Sequence, residues 1–524
     1  MQAAKLKASK AAAAAPVVEL PSPPISPRDG IFEDDAGERA KFYSEIFAML
    51  EENMTDTEAP VVKLATPEHL LEAIDLKIKE GPRAYGDIAK ACRTILDYSV
   101  KTTHRHFHNQ LYANANPAGI AGEFITAVSN ASMYTYEVAP VYTVIENELL
   151  QRMRSLIGWE DGDGIFNPGG SMSNIYGMNL ARYQKFQELG YNVKEDGLAG
   201  APKLVCFSSS HAHYSITKSA SLLGIGSKNI IRVLSDDQGR MIPEKLAEAV
   251  KTAKESGAVP FMIHCTAGTT VLGGYDDINH ACDVAKEHGL WVHVDGCWGG
   301  SCVLSRTHRE LVAGIERADS YAWNPHKMMG IPQQCAAFLV RHKGLLQAAH
   351  SANAKYLFQK DKLNACLDTG DKSIQCGRRN DALKLWMTWA AVGTSGYEAH
   401  IDNLWSCAKH LRDQVVAREG FELVTEPMCT NVSFWYLPPS LRKRKDVERM
   451  SPEWRKAVHE AAPAIKEEMQ RKGSLMVGFQ SIPLHNDPAP PNFFRMVVIS
   501  MGSTKADMDY LLDEIESIGQ DLKL

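Results

Sequence analysis

Short apolar runs alternate with amphipathic helical segments between about residues 135 and 345. The apolar runs are KLVCF, PFMIH, LWVHV and CAAFLV, and the helical segments include IPEKLAEAVKTAKESG and DINHACDVAKEHG. Continuous apolar strands that alternate with helices are typical of a mostly parallel sheet covered by helices on both faces. Because ligands of such sheets bind at the carboxyl ends of the strands, we expect the functional residues directly after the apolar runs.

The same pattern divides the chain into four predicted parts. Residues 1–38 are rich in alanine, proline and serine and are predicted to be a disordered tail. Residues 39–115 are predicted to be an N-terminal helical segment, in which Thr66 and Glu68 suit a helix start. Residues 116–390 form the predicted large α/β domain. Residues 391–524 form a smaller α+β domain that contains the strand-like NVSFWYL and NFFRMVVIS.

Composition narrows the functional class. The chain has 524 residues and a formal net charge of −6, with no long basic run, so we expect no nucleic-acid partner. No apolar stretch reaches the length of a membrane-spanning helix, so we expect no membrane partner. The eleven cysteines lack C-x-x-C pairs and zinc-like spacing. Because a secretory signal is also missing, the pattern favours reduced thiols in the cytoplasm and predicts no metal site.

Three motifs carry candidate chemistry at the expected places. FNPGGSMSN leads into a helical segment, where glycines, the Ser173 hydroxyl and free amides could hold a phosphate, although a Pro-Gly-Gly turn alone is more often simple punctuation. Asp295 ends the apolar LWVHV run, where an unpaired carboxylate is costly and a cationic heterocycle would need an anion. Lys327 lies in the otherwise apolar WNPHKMMGIPQQC, where a buried amine can lose its charge and attack an aldehyde.

A histidine completes the set. His213 follows the KLVCF strand, where a lone histidine is more often structural than functional. Taken singly, each motif is weak. A phosphate cradle, a histidine, an aspartate after a strand and a lysine 32 positions later (327 − 295) together match the needs of pyridoxal phosphate. That cofactor has a phosphate, a flat ring with a pyridinium nitrogen, and an aldehyde.

At these residues the chain resembles the group II pyridoxal-phosphate-dependent decarboxylases. The resemblance is to the branch that holds glutamate decarboxylase, cysteine sulfinate decarboxylase and the insect-type aspartate 1-decarboxylases. It runs from about Tyr98 to the C-terminus and includes TYEVAPV, GDGIFNPGGSMSN, PFMIHCTAGTTVLGGYD, HVDGCWGG, WNPHK, YLFQKDK, DTGDKSIQCGRR and NFFRM. It implies the fold-type I architecture of aspartate aminotransferase and a homodimer with active sites at the subunit interface.

The resemblance also implies residue roles. Lys327 would form the Schiff base, Asp295 would pair with the pyridinium nitrogen, and His213 would stack on the ring. Tyr356, on a mobile loop, would protonate the α-carbon. The implied cofactor-binding set is Lys327, Asp295, His213, Thr270, Met172, Ser173, Asn324, His326 and Cys297. The implied substrate-binding set is Gln110 and Arg495, with Gln333 and Ser132 as the positions that bear on substrate choice.

Two neighbouring positions depart from the family pattern. The family usually has Asp-Ala-Ala-Trp-Gly-Gly, whereas this chain has Asp295-Gly296-Cys297-Trp298-Gly299-Gly300. Cys297 would therefore pack against the ring face opposite His213. A thiol is only slightly larger than a methyl group, so cofactor binding should survive. The substitution is also the single feature that favours a catalytically weak paralogue that binds cofactor and acts as a regulator.

Three positions bear on the choice of substrate. Arg495 suits a carboxylate or sulfinate. Gln333 stands where glutamate decarboxylases have leucine, and Ser132 where they have asparagine. Both differences favour a shorter acid, namely L-aspartate giving β-alanine, with overlapping conversion of cysteine sulfinate to hypotaurine. Glutamate decarboxylation to γ-aminobutyrate is the alternative.

Overall fold

The computed structural model describes residues 36–359, 361–442 and 451–523. The predicted disordered tail lies outside the described residues except for its last three positions, which begin the first helix. The helices are α1 (Ala36–Thr55), α2 (Pro67–Ala73), α3 (Tyr85–Tyr98), α4 (Pro117–Ser129), α5 (Pro140–Ile157), α6 (Gly170–Glu188), α7 (Ser215–Leu222), α8 (Pro243–Glu255), α9 (Ile278–His288), α10 (Leu345–His350), α11 (Ala382–Ala417), α12 (Pro439–Arg442), α13 (Pro452–Lys472) and α14 (Lys505–Gly519). The strands are β1 (Phe107–His108), β2 (Asp163–Asn167), β3 (Leu204–Ser209), β4 (Ile230–Val233), β5 (Val259–Thr266), β6 (Trp291–Gly296), β7 (Ser320–Trp323), β8 (Ala336–Val340), β9 (Phe421–Leu423), β10 (Asn431–Tyr436), β11 (Met476–Gln480) and β12 (Phe493–Val497).

The chain divides into two compact units. In its described part, the smaller unit comprises residues 36–56 and 66–97 and is helical. The Thr66 hydroxyl caps α2 by accepting a hydrogen bond from the amide of His69, as the sequence suggested. Helix α2 ends at Ala73, and residues 74–78 are not helical. The second unit contains residues 57–65 and 98–523 of the described chain.

A seven-stranded sheet forms the centre of the larger unit, in the order β2-β8-β7-β6-β5-β3-β4. The pairs β3–β4, β3–β5, β5–β6 and β6–β7 are parallel, whereas β8 is antiparallel to both of its neighbours. All residues of β3, β6 and β8 are buried, which explains their continuous apolar sequences. The prediction of a mostly parallel sheet flanked by helices is confirmed.

A second sheet has the order β1-β11-β12-β10-β9. Here the structure departs from the boundaries drawn from the sequence. Strand β1 pairs with β11, so part of the predicted N-terminal segment belongs to the C-terminal sheet. Helix α11 runs through the predicted boundary at residue 390 and bends at Gly393, whose φ is 73°. The four-part division of the chain stays a prediction.

Candidate active site

A cavity of about 410 Å³ lies where several strands of the large sheet end. It is lined by Gln110, Leu111, Tyr112, Gly170, Ser171, Asn174, His213, Tyr214, Thr266, Gly268, Thr270, Asp295, Cys297, Trp298, Asn324, His326, Lys327, Gln333 and Arg495. Asp295 is in β6, Thr266 ends β5, and Asn324 follows β7. The polar side chains therefore meet at the carboxyl edge of the sheet, as expected for this architecture.

Asp295 is a buried carboxylate at this edge. Its Oδ1 accepts a hydrogen bond from the amide of Cys297 at 3.1 Å, and its Oδ2 accepts one from Nδ2 of Asn174 at 2.8 Å. Burial acts to raise its pKa, but nearby His264 and these two donors outweigh burial and hold the pKa well below its usual range. Asp295 is therefore a fixed negative charge that faces the cavity.

Asn174 connects Asp295 to a buried chain of hydrogen bonds. Its Oδ1 lies 2.9 Å from Nε2 of His293, and Nδ1 of His293 lies 2.8 Å from Oγ of Ser320. Trp291 Nε1 donates to the same Oγ at 2.8 Å. Oδ1 of Asn174 can only accept, so His293 donates to it from Nε2, and burial lowers the pKa of His293 to about 3. The neutral ring therefore accepts the proton of Ser320 at Nδ1. Each amide atom of Asn174 thus has a fixed role.

The same chain fixes the tautomer of His213. The second Nδ2 proton of Asn174 is donated to Oγ of Ser215 at 2.8 Å, and that Oγ lies 2.8 Å from Nδ1 of His213. Ser215 therefore donates its proton to Nδ1, and the amide of Ser215 also donates there at 3.3 Å. Burial lowers the pKa of His213, so its neutral ring carries a proton on Nε2.

Lys327 lines the cavity from the turn after β7. Its side chain is only partly buried, in contrast to the fully buried lysine that the apolar sequence suggested. The neighbours Met328 and Met329 are fully buried and explain the apolar sequence around it. The amide of Lys327 donates to the carbonyl of Asn324 at 3.0 Å, which holds the turn. The lysine is anchored by its backbone while its amine reaches the cavity.

The predicted phosphate cradle needs a correction. Helix α6 begins at Gly170, and Gly170 and Ser171 line the cavity. Ser173, which was predicted to contact phosphate, is fully buried with its hydroxyl in a hydrogen bond to the side chain of Asn167 at 2.9 Å. Met172 donates its amide to the carbonyl of Gly169 and packs its side chain against a hydrophobic cluster. Neither Met172 nor Ser173 lines the cavity.

Asn324 and His326, two further members of the implied cofactor-binding set, do line the cavity. Asn324 is buried, and its Oδ1 has no hydrogen-bond partner among the described residues. His326 donates from Nδ1 to the carbonyl of Cys335 at 2.7 Å. Burial, together with the nearby charge of Lys327, lowers the pKa of His326 to about 3, so its ring is uncharged near neutral pH.

The predicted substrate-binding residues separate into two groups. Gln110, Gln333 and Arg495 line the cavity together with Lys327. Arg495 donates from Nη2 to the carbonyl of Asn109 at 3.0 Å. Its Nε is buried and has no partner within the described part of the chain. Arg495 therefore keeps donor capacity for an anionic ligand.

Ser132 and Tyr356 are not brought to the cavity. The hydroxyl of Ser132 accepts a hydrogen bond from the amide of Arg378 at 3.2 Å, which makes it part of a loop contact. Tyr356 is 83% exposed. Neither residue lines the cavity that contains Lys327. Within this single chain, the predicted substrate contact of Ser132 and the predicted proton transfer by Tyr356 have no geometric basis.

Cys297 lines the cavity as expected, and it is buried. Burial and the charge of Asp295 raise the pKa of its thiol well above the usual range. The thiol is therefore neutral and behaves as a small, weakly polar group. A Cβ at Gly170 would overlap the Sγ of Cys297 and lie 2.9 Å from Nδ2 of Asn324, so the start of α6 requires glycine here.

The residues present fit pyridoxal phosphate. The first amides of α6, at Gly170 and Ser171, make no hydrogen bond to backbone carbonyls in the described structure and suit a phosphate. The buried Oδ1 of Asn324 has no partner among the described residues, so a hydrogen-bond donor of a bound group would satisfy it. Asp295 supplies the anion for a pyridinium nitrogen, and Lys327 supplies the amine. Among the described residues, no group of three or more acidic, histidine or cysteine side chains is arranged to hold a metal ion.

Sequence reasoning missed several cavity residues. Asn174 was within the quoted FNPGGSMSN motif but had no role assigned to it, although a buried asparagine after a glycine-rich turn is a signal of hydrogen bonding. Ser171 was missed because its neighbour Ser173 fits the family motif. Trp298 was within the quoted Asp295–Gly300 motif but had no role assigned to it. Tyr112 and Tyr214 carry no signal in the sequence that sets them apart from other aromatic residues.

Comparisons with known proteins identify the family of the chain. The family described as "Pyridoxal-dependent decarboxylase conserved domain" matches residues 67–437. The acidic amino acid decarboxylase GADL1 of Bos taurus is 48% identical over 470 residues, which cover 89% of this chain and 88% of the bovine protein. The cysteine sulfinic acid decarboxylase of Mus musculus is 47% identical over 470 residues, covering 89% of this chain and 93% of the mouse protein.

A solved structure has the same fold. The crystal structure of mouse CSAD superimposes with a TM-score of 0.88 at 43% sequence identity and covers 93% of this chain and 100% of that one. Within the described residues, no helix is long and apolar enough to cross a membrane. With the family match over residues 67–437 and a cavity whose side chains suit the cofactor, the chain belongs to the pyridoxal-phosphate-dependent decarboxylases of group II.

Proposed function

We propose that this enzyme removes the α-carboxyl group of a short acidic amino acid, converting L-aspartate to β-alanine and, as an overlapping activity, cysteine sulfinate to hypotaurine. One observation carries the proposal: Arg495 and Gln333 line the same cavity as Lys327. The guanidinium of Arg495 suits an anion, and the Gln333 amide can donate to a second acid group. The names of the two relatives, an acidic amino acid decarboxylase and a cysteine sulfinic acid decarboxylase, support the same substrate class.

Each of the principal cavity residues would have a separate role in binding the cofactor or the substrate. Pyridoxal phosphate, when bound, supplies an electron-withdrawing ring that stabilises the charge left on the α-carbon after the carboxyl group departs. Asp295 would keep a proton on the ring nitrogen, and the uncharged ring of His213 would pack against the cofactor without adding positive charge. Arg495 would hold the α-carboxylate so that its bond to the α-carbon is the one that breaks. Lys327 would provide the amine that binds the aldehyde.

The length of the acidic side chain distinguishes aspartate and cysteine sulfinate from glutamate. Gln333 supports a shorter acid because its amide lies on the cavity where glutamate decarboxylases are expected to have leucine. Ser132, the second argument from the sequence, gives no support because it lies outside the cavity of this chain. The choice of aspartate and cysteine sulfinate over glutamate therefore depends on Gln333.

A substrate panel tests this choice. The wild-type protein and Gln333→Leu receive aspartate, cysteine sulfinate and glutamate in turn, and the amine products are quantified. We expect β-alanine and hypotaurine from the wild type and a shift toward γ-aminobutyrate in Gln333→Leu. Gln334→Leu is the matched control, because this neighbouring amide is exposed like Gln333 but does not line the cavity. Dominant γ-aminobutyrate formation by the wild type would refute the proposal in favour of glutamate.

We also propose that the enzyme acts as a homodimer with active sites at the subunit interface. Apolar side chains on α4, α5 and α11 are exposed in the single chain: Val128 is 88% exposed, Val141 63% and Trp386 47%. A second copy would cover such side chains. Tyr356, which does not reach the cavity of its own chain, would then serve the cavity of its neighbour.

Mixing two inactive variants tests this arrangement. Lys327→Ala should lose both turnover and the yellow colour of the bound cofactor, and Tyr356→Phe should lose turnover but keep the colour. If Tyr356 acts across the interface, a mixed dimer of the two variants contains one complete site and regains activity. If Tyr356 acts within its own chain, no mixed dimer has a complete site. Absence of regained activity in verified mixed dimers contradicts the proposal.

The proposed location is the cytoplasm. All eleven cysteines are free thiols in the structure, and eight of them are buried. Free thiols in this number favour a reducing compartment. Fractionation of cells that produce the tagged protein, followed by immunoblotting, tests the location.

A further inference from the structure

Two cationic side chains converge on Asn109, next to the cavity. Lys466, in α13, donates from Nζ to Oδ1 of Asn109 at 2.7 Å. Arg495, in β12, donates from Nη2 to the backbone carbonyl of the same residue at 3.0 Å. Both cations are partly buried, and within the described ranges neither pairs with a carboxylate. Enclosed cations without an anionic partner are uncommon in proteins.

The surroundings of Lys466 keep it in this place. Its Nζ lies 5.6 Å from the ring centroid of Phe479, at a distance that suits a cation–π contact. Burial, together with the charge of Arg495, lowers the pKa of Lys466. The protein therefore tolerates two like charges near each other without an acid between them. An anion that enters the cavity would relieve the repulsion between them.

Asn109 also directly precedes a residue that lines the cavity. Strand β1 pairs in parallel with β11 up to His108, and the chain leaves the sheet at Asn109. The next residue, Gln110, lines the cavity. The side chain of Asn109 accepts a hydrogen bond from Lys466, and its backbone carbonyl accepts one from Arg495. One residue thus connects the lysine to two of the groups predicted to bind substrate.

We propose that Lys466 is a positioning residue for the acidic substrate, acting through Asn109 on Gln110 and Arg495. It also adds a second positive charge behind the anion-binding side of the cavity, which favours ligands with two acidic groups over ligands with one. This inference rests on the proposed function, because an acidic substrate is what the two cations would serve. Lys466 itself does not line the cavity, so it is not a catalytic residue.

The test compares Lys466→Met with the wild type as cofactor-loaded enzymes. Steady-state assays give kcat and KM for aspartate and cysteine sulfinate, and calorimetry gives the Kd of succinate, a dicarboxylate that lacks an amine and does not react. We expect KM and the succinate Kd to rise about tenfold, the size of effect expected from one hydrogen bond to a charged group, with kcat within about twofold. Binding of propionate, a monocarboxylate, should change less than binding of succinate.

Two further variants separate positioning from general damage. Lys456→Met removes the same charge from the same helix, at an exposed lysine that pairs with Glu460, and should leave KM and succinate binding unchanged. Asn109→Ala removes the acceptor of Lys466 and should raise KM by a similar factor. Because both changes break one connection, the double variant should be no worse than either single variant.

The outcomes that overturn the inference are distinct from those that overturn the proposed function. A wild-type KM and succinate Kd in Lys466→Met overturn it, and so does a fall in kcat with KM unchanged. Additive effects of Asn109→Ala and Lys466→Met overturn it as well. If the wild type turns over none of the three acids, the proposed function fails, while the succinate measurements still decide the role of Lys466.

Discussion

Replacement of Asn174 by alanine should weaken cofactor binding by about 10- to 100-fold. The change removes the hydrogen bond to Asp295 and the hydrogen bond to Ser215, which sets the tautomer of His213. A hydrogen bond to a charged group contributes about 1.5–3 kcal/mol, and each 1.4 kcal/mol is a factor of about ten in Kd. The loss of one donor should also raise the pKa of Asp295, which makes it a poorer partner for a pyridinium nitrogen.

The assay is a titration of cofactor-free protein with pyridoxal phosphate, followed by the absorbance of the bound cofactor. Asn179→Ala is the matched control on the same helix. The side chain of Asn179 contacts His350 at 2.9 Å and accepts from Arg182 at 2.8 Å, so its loss removes a comparable set of hydrogen bonds away from the cavity. Urea unfolding of both variants separates lost stability from lost cofactor affinity.

A specific result would refute the reasoning about Asn174. If Asn174→Ala binds pyridoxal phosphate with the wild-type Kd, the hydrogen-bond chain does not orient Asp295 and His213. Equal weakening by Asn174→Ala and Asn179→Ala would also refute it, because the effect would then come from destabilisation of α6. A selective loss in Asn174→Ala supports a positioning role for this residue.

Three other predictions follow from buried contacts. Glu146→Gln should lower the free energy of unfolding in urea by about 3–5 kcal/mol, because buried Arg378 loses the carboxylate to which its Nη1 and Nη2 each donate at 2.7 Å. The added change Arg378→Met should recover part of the loss. Burial lowers the pKa of His108 to about 3, so this histidine takes up a proton on unfolding below about pH 6.5. Its contribution to the free energy of unfolding is present above that pH and is lost as the pH falls toward 3. His108→Leu should therefore reduce the loss of unfolding free energy with falling pH by up to about 1.4 kcal/mol per pH unit. An unchanged dependence of the unfolding free energy on pH contradicts this. Gly170→Ala should raise the Kd for pyridoxal phosphate at least about tenfold in the same absorbance titration, because its methyl group would meet Cys297, and Gly170→Ala/Cys297→Ala should regain part of the affinity.

The sequence by itself determined the strand–helix alternation and the principal chemical groups. Apolar runs such as LWVHV are continuous because β6 is buried on both faces. The amino-acid pattern alone therefore predicted both the strand and its burial. Asp295 and Lys327 were identifiable because Asp295 lies at the end of one strand and Lys327 follows another, and the carboxyl ends of these strands face the cavity. The cofactor followed from this set and from the family resemblance, since few ligands need an anion, an amine and a phosphate cradle together.

The tertiary structure alone decided which neighbours of these groups face the cavity. Ser171 and Ser173 are two residues apart on α6, and at about 100° per residue their side chains point to nearly opposite sides. Only the position of the helix start determines that Ser171 faces the cavity and Ser173 faces Asn167. Asn174 meets Asp295 across 121 positions and Lys466 meets Asn109 across 357, and no local pattern encodes such pairings. These contacts arise from strand order and helix packing, which the amino-acid pattern constrains only through the fold as a whole.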